Sequence, residues 1–448
     1  MAKRSLIKSM SSSSSCLSPN LSKAISPRGG MVKELFSMSP IMGDPKVFLS
    51  IAVPANPKFL KKDSFGLVDS LASGIGLSLE QANNSAVAEA IERYCASYVQ
   101  EELITVSSWN KLGCNALHPE ELPLFTKEQY GQVDFPYAPF LKDTTIGWVR
   151  GYSYTHHQEK WVPATMVWDA YLPLSDEEQN ICFGLMTGSA AGSTWEQAAI
   201  GALLEVIERD SFMIAWYNSL SPTKLDIESS RIYLIDAFKP LFDKDRFELH
   251  LMDVTSDLGI PAVFGLLKTL EGKICLGGSA KLSMAEAVKK AMFEISQLYM
   301  GNKASIFSNN RISILPEEVT EYAMRLPYYA QPNAAEEMEF IYASNSFRPV
   351  DECNVADTMD EQQQLEYLVN KLAEKGLEVI AVDLTTEDVK ELGIHVVKMV
   401  VPGMVELPRN ENERILTSKR IYSVPVDLGV RTLPSRRDDL NASPHPFP

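Results

Sequence analysis

Pairs of polar side chains recur in this chain at a fixed distance behind a hydroxyl. Ser78 is followed eleven residues on by Glu89 and three later by Glu92. Thr194 is followed in the same way by Glu205 and Glu208, and Ser283 by Glu294 and Gln297. The first two stretches also share a glycine two residues before the hydroxyl (Gly76, Gly192), Glu-Gln-Ala just after it, and Ile-Glu-Arg at the end. Converging carboxylates suit hard cations, because magnesium takes oxygen donors and is commonly held by a few carboxylates together with substrate phosphates. The competing reading is a set of solvated i, i+3 charges neutralised by Arg93 and Arg209. A lone Glu-x-x-Glu-Arg fits that reading. Two in register, with matching glycines upstream, form an internal repeat that surface chance does not readily produce.

Each stretch reads as one helix with a defined start. Ser78–Gln81, Thr194–Gln197 and Ser283–Glu286 have the pattern of capping boxes, in which the hydroxyl and the third-position side chain satisfy free backbone donors. At about 3.6 residues per turn, positions eleven and fourteen fall three to four turns into the helix, too deep for capping or dipole roles. Ala82, Ser85, Glu89, Glu92 and Ala96 then share one face of the first helix, and Ala198, Gly201, Glu205, Glu208 and Phe212 one face of the second. Small residues beside paired carboxylates leave room for something to approach.

Around these helices the pattern predicts strands at 46–53, 147–154, 161–168, 247–254, 261–268, 273–276, 378–385 and 395–401. It reads 64–76 and 187–192 as polar or glycine-rich approaches to the first two helices. Further helices are expected near 316–325, 334–341 and 360–375, with a short one at 386–392 closed by Gly393. Strands and helices interleave without strict alternation, which predicts an α+β fold with mixed sheets packed on long helices. No Gly-x-Gly-x-x-Gly or Gly-x4-Gly-Lys-Ser/Thr occurs, so neither familiar nucleotide fold is supported.

A chain of 448 residues with 45% hydrophobic content can bury a large core. Its net charge of −16 argues against nucleic acid and anionic membrane as partners, and no apolar run is long enough to span a bilayer. Six scattered cysteines without Cys-x-x-Cys fit reduced, cytoplasmic thiols rather than a zinc site. The adjacent His156 and His157 cannot share a helix face and are not read as ligands. Residues 1–33 hold six Lys or Arg, no acid and five consecutive serines, and are expected to be a disordered basic tail, with an organellar transit peptide as the alternative.

The blocks Ser73-Gly-Ile-Gly-Leu-Ser-x-Glu-Gln-Ala…Glu89-Ala-Ile-Glu92-Arg, Thr187-Gly-Ser-Ala-Ala-Gly192-Ser-Thr…Glu205-Val-Ile-Glu208-Arg and Lys290-Ala-Met-Phe-Glu294-Ile-Ser-Gln297 resemble the three nucleotide-binding segments of the YcaO proteins. Those are ATP-dependent enzymes that activate peptide backbone amides. The likeness covers most of 64–448, with the blocks at 64–100, 181–217 and 278–300. The ending, Pro444-His-Pro-Phe-Pro448, resembles the Pro-rich terminus (440–448) of the azoline-forming cyclodehydratases in that family. Residues 34–448 are thus expected to form the catalytic domain.

The resemblance implies cofactors and roles. ATP and Mg²⁺ would be bound by Glu89, Glu92, Glu205 and Glu208, with these four as metal ligands. Ser85, Ser193, Gln197, Arg209, Glu294 and Gln297 would complete the ATP site. His445 and the carboxylate of Pro448 would assist proton transfer. The implied reaction is cyclodehydration of Cys, Ser or Thr in a ribosomal precursor peptide. A separate leader-peptide-binding protein would deliver that peptide, a flavin dehydrogenase could act afterwards, and a homodimer is the family-based expectation. Alternatives are thioamidation by a related enzyme and a catalytically silent scaffold. The chain departs from the family pattern at Ile75, Thr187, Gln197 and Tyr299, where Lys, Asn, Glu and Arg are common.

Overall fold

The computed structural model describes residues 11–12, 16–55, 71–122, 124–169, 171–185, 187–227, 235–270, 272–301, 314–319, 322–329, 331–350, 355–409 and 411–447. The chain opens with strands β1 (Val32–Met38), β2 (Phe48–Pro54) and β3 (Ala72–Gly76), followed by helix α1 (Leu79–Ser97). Next come β4 (Thr105–Ser107), β5 (Ile146–Ser153), β6 (Gln158–Pro163) and β7 (Ser189–Gly192), which leads into α2 (Trp195–Tyr217). A third group holds β8 (Lys224–Asp226), β9 (Phe247–Asp253), β10 (Ala262–Thr269), β11 (Ile274–Ala280), α3 (Met284–Gly301) and β12 (Phe347–Pro349). The last part supplies α4 (Glu361–Ala373), β13 (Ile380–Asp383), β14 (His395–Val400) and α5 (Arg420–Asp427).

These strands make three sheets. One runs Ser11–Ser12, β1, β2, β3; the second β4, β5, β13, β14, β7, with β6 also on β5; the third β11, β10, β9, β8, β12. Pairing is antiparallel between the named strands except for the parallel pair β12–β8. The expected α+β fold with mixed sheets is what forms.

One feature of the sheets positions everything that follows. Among the described residues the strands that feed the three long helices, β3, β7 and β11, are each the last strand of a sheet. Each lies under its own helix, and each also touches the next: α1 packs on β3 and β7, α2 on β7 and β11, α3 on β11 and β3. Three strand–helix units therefore close into a ring.

The glycines make this packing possible. A Cβ on Gly74 would collide with the backbone of Ala82 and Ala86, one on Gly192 with Ala198 N, and one on Gly277 with Ala291 O. Backbone-to-backbone approach of this kind is a place where glycine is needed within a strand. The segments 72–76 and 189–192, expected as loop-like approaches, are strands for this reason; 64–70 lies outside the described residues.

The core follows the period of two that strands impose. Ala262, Phe264 and Leu266 of β10 face the α2 side, and Val263 and Leu267 face α3. In β13 and β14, Ala381, Val397 and Met399 join the α2 cluster, while Ile380, Val382, Val396 and Val400 join the cluster around α1.

Several expectations need correction. Within the tail expected at 1–33, the described residues 16–33 pack on the fold, while 1–10 and 13–15 lie outside the described residues. Ser18 N–H donates to Asn84 Oδ1 at 3.0 Å, Asn83 Nδ2 donates to Cys16 O at 2.9 Å, and Ala24 and Val32 are buried. The strand expected at 161–168 ends at Pro163 and gives way to a 3₁₀ turn, Ala164–Met166. The helices expected near 316–325 and 334–341 are shorter pieces, Tyr322–Tyr329, Pro332–Glu336 and Glu339–Tyr342. Helix α5 was not anticipated, because it contains Pro425. The donor that Pro425 lacks is replaced by Asn218 Nδ2, which bonds Ile421 O at 2.9 Å.

Candidate active site

The two members of each polar pair do different work. The first, at position eleven, turns back onto its own strand. Glu89 Oε2 accepts from Ser73 N–H at 3.2 Å, Glu205 Oε2 from Gly188 N–H at 2.9 Å, and Glu294 Oε2 from Gly278 N–H at 3.0 Å. A sheet edge exposes unpaired donors. Here a mid-helix carboxylate satisfies one on or beside each edge strand, so the three acids are fixed by backbone geometry.

The second member, at position fourteen, reaches the following unit. Glu92 accepts from the Ala191 N–H of β7. Glu208 faces β11, where a Cβ on Gly278 would lie 3.1 Å from Glu208 Oε1. Gln297 Nε2 donates to Ser73 Oγ at 2.7 Å and closes the circuit on β3. All six predicted pair residues are thereby brought into one ring. The forward half of each cap is also present: Gln81, Gln197 and Glu286 N–H each donate at 3.2 Å to Ser78, Thr194 and Ser283. The return bonds of Gln81 and Gln197 go one residue further back, to Leu77 N–H and Ser193 N–H.

Charges in this ring are compressed. Burial pushes the Glu92 carboxyl well above the ordinary range, and Glu205 and Glu89 add to the shift. Burial also raises Glu208, up to about 7; Arg209 opposes the rise while Glu294 and Glu205 reinforce it. Glu89 is raised by burial against the pull of Arg93, which it pairs at 2.5 Å. Arg209 sits 3.6 Å from Glu205 and 3.3 Å from Glu208, and Lys290 lies 3.2 Å from Glu294. The arginines therefore do neutralise the glutamates, as the competing reading held, but the glutamates are not solvated surface charges.

The C-terminal segment enters the same region. Phe447 is buried against Phe212, and the Arg209 guanidinium lies 4.2 Å from its ring centre. His445 is 1% exposed, and burial, with Arg325 nearby, holds its imidazole well below the ordinary range. His445 Nε2 lies 3.4 Å from Pro408 O. Asn441 N–H donates to Tyr217 O, Trp216 Nε1 to Ser443 O, and Tyr329 Oη to Pro444 O. The tail is a packed element, not a free polyproline extension. Pro448 lies outside the described residues.

Other predicted residues are placed differently. Ser85 is exposed on α1, one turn ahead of Glu89. Ser193 and Gln197 are exposed and engage each other, and Gln197 Nε2 donates to Glu361 Oε1 of α4 at 2.5 Å. The amide at 197 thus accommodates Glu361, where a carboxylate would repel it. Tyr299, another departure, is buried and accepts from Arg246 at 3.2 Å. Sequence reasoning missed Lys398 and Glu406. Burial raises Glu406 to about 7 and lowers Lys398, and each feels Glu205. The signal for Lys398 was a lysine inside the apolar strand Val396-Val397-Lys398-Met399-Val400.

The donor set suits Mg²⁺, because every acidic side chain in the ring offers oxygen donors and Glu208 Oε1, although paired with Arg209, is buried without a hydrogen bond. Among the described residues no group of three or more His, Cys, Asp or Glu is arranged to cage a metal alone. Also among the described residues, no helix is long and apolar enough to cross a membrane.

Comparison with known proteins identifies the family. The profile described as "YcaO cyclodehydratase", ATP- and Mg²⁺-binding, matches residues 73–405. An uncharacterized protein of Methanothermobacter thermautotrophicus is 27% identical over 344 residues, 75% of this chain and 82% of the relative. A heterocyclase solved in complex with substrate and cofactor superposes with a TM-score of 0.76 at 26% identity, over 95% of this chain and 56% of that one. The chain therefore spans about half the length of that heterocyclase. YcaO from Methanopyrus kandleri, bound with AMPPCP and Mg²⁺, shares the fold with a TM-score of 0.61 at 22% identity, over 84% and 86% of the two chains. ATP and Mg²⁺ are accordingly the cofactors here, and the ring of three strand–helix units belongs to a member of the YcaO family.

Proposed function

We propose that this chain is an azoline-forming cyclodehydratase acting on a ribosomally made precursor peptide. The observation that carries the reading is the joining of the carboxylate ring to a packed Pro-rich tail through Arg209, which touches Glu205, Glu208 and Phe447. In the reaction, a Cys, Ser or Thr side chain adds to the carbon of the preceding amide. The resulting oxygen takes the γ-phosphoryl group of ATP and ADP leaves. Elimination of phosphate, with loss of the amide proton, then completes a thiazoline or oxazoline. An amide oxygen is a poor leaving group, and its phosphorylation makes it a good one.

Bound magnesium supplies positive charge to the triphosphate and to negative charge developing on the transferred group. Glu89, Glu92, Glu205 and Glu208 would hold it. Arg209 suits a phosphate oxygen, since its planar fork presents several donors at once. Glu294 and Gln297 close the third side, with Ser85, Ser193 and Gln197 at the rim. His445, which burial keeps neutral and makes a weak base, would take up a proton only transiently, with the Pro448 carboxylate three residues on in sequence. Residues 34–448, with the packed stretch 16–33, would act as one catalytic domain in the cytoplasm. A separate leader-peptide-binding protein would present the substrate, with a homodimer and a later-acting flavin dehydrogenase as further partners.

Purified protein, ATP, Mg²⁺, precursor peptide and leader-binding protein should give a peptide lighter by one water for each ring, with ADP and phosphate in equal amounts. Glu205→Gln should abolish the change. Exchange of oxygen for sulfur when sulfide is supplied would select thioamidation instead. An unchanged mass without nucleotide binding would leave a scaffold.

A further inference from the structure

Lys398 takes no part in the reaction just described, yet it is placed as few lysines are. It lies in β14, its residue is 1% exposed, and Nζ donates to Leu185 O at 2.5 Å and Thr187 O at 2.7 Å. The next residue continues the grip, because Met399 N–H donates to Gly188 O at 2.7 Å. Gly188 is the residue whose N–H holds Glu205 Oε2 at 2.9 Å, and it does so with φ at +90°. A Cβ there would fall 2.7 Å from Met399 O, so the turn is pressed against β14. Strand β14 therefore sets the position of Glu205 through one short segment.

Two carbonyls satisfy the geometry of an ammonium, but they do not balance its charge. Burying a lone charge costs several kcal/mol unless opposite charges compensate it. The compensation comes from acids further off: Glu406, Glu205, Asp169 and Glu92 all act favourably on Lys398. Glu406 bonds Thr187 with its side chain, and its Oε2 is buried without a hydrogen-bond partner. A neutral amide could donate to a carbonyl here as well.

We infer that Lys398 is a positioning residue of the metal–nucleotide site. It fixes the Thr187–Gly188 turn that holds Glu205. The inference rests on the proposed ATP reading of the ring.

The test is calorimetric titration with Mg²⁺ and AMPPCP, an ATP analogue with a non-hydrolysable β–γ link, alongside amide hydrogen exchange at Gly188. Lys398→Met should weaken analogue binding at least tenfold and speed Gly188 exchange. In the double variant Lys398→Met with Glu406→Gln, the acid that acts most strongly on Lys398 is removed as well, which protects the fold against an unpaired acid. It should bind as weakly as the single variant. The inference is overturned if either variant binds within twofold of the parent, since Lys398 would then be at most the counter-charge of Glu406. If the parent itself fails to bind, the ATP reading has failed. Exchange at Gly188 then decides the positioning claim alone, with unchanged protection in the variants counting against it.

Discussion

Glu205 and Glu208 stand three residues apart on one helix, and the structure gives them unequal tasks. Glu205 caps a backbone donor, whereas Glu208 is raised to about 7 by burial and by other acids. A group whose folded pKa exceeds its ordinary 4.5 binds more protons in the folded state. Stability from that group is therefore present at low pH and is lost as pH rises from about 4.5 to 7. Glu208→Gln removes this loss. Without nucleotide, it should be more stable than the parent by a margin that widens across that window and then levels off, reaching on the order of 3 kcal/mol, at about 1.4 kcal/mol per unit of raised pKa. Glu205→Gln should show no such gain, because it weakens the bond to Gly188. Both should lose turnover by about 10²-fold or more if the ring stabilises transition-state charge. Melting curves from pH 5 to 8 beside initial rates check the pair; equal melting behaviour would mean the two tasks are not distinct. The sequence made these glutamates visible because their spacing repeats. Lys398 and Glu406 do not repeat, and a single charge in an apolar strand looks like an exception until its neighbours in space are known.

The long helices were legible as elements because capping residues and periodicity act locally. Helices α1, α2 and α3 begin directly after Ser78, Thr194 and Ser283, as expected. The glycine-rich segments were misread because glycine disfavours strands on local grounds. Its value here is non-local: it lets β3, β7 and β11 lie against helix backbone. Gly277→Ala tests this directly. The added methyl would meet Ala291 O and Ile295 N, both backbone atoms that cannot rotate away. It should destabilise the protein by about 1–3 kcal/mol or more, as overpacking does, and it should loosen the Gly278–Glu294 bond on the same strand. Denaturant unfolding gives the first quantity and amide exchange at Gly278 the second. Full stability in the variant would show that the strand can shift and that close approach is not required. Helix α5 marks the same limit of local reasoning, since Pro425 is tolerated there only because Asn218, far away in sequence, offers a donor.

At the scale of the whole molecule, the three units meet only because each contributes a side chain to the next, and the chain's final residues are packed against that junction. Phe447 touches Phe212 and Phe264, lies beneath Arg209, and occupies the space that a side chain on Gly278 would need. A Phe→Ala change in a rigid core costs about 3–5 kcal/mol. Here the residue lies in a stretch, 441–447, that forms neither helix nor strand, so the stretch can detach instead of holding a cavity open. Phe447→Ala should therefore cost less than that range in global unfolding. It should expose Asn441 N–H, which now donates to Tyr217 O, to faster exchange. Arg209 would lose the ring beneath it while keeping Glu205 and Glu208, so AMPPCP binding should survive within a fewfold while cyclodehydration falls steeply. Turnover equal to that of the parent, with the tail detached, would show that the terminal segment is packing only and that proton transfer lies elsewhere.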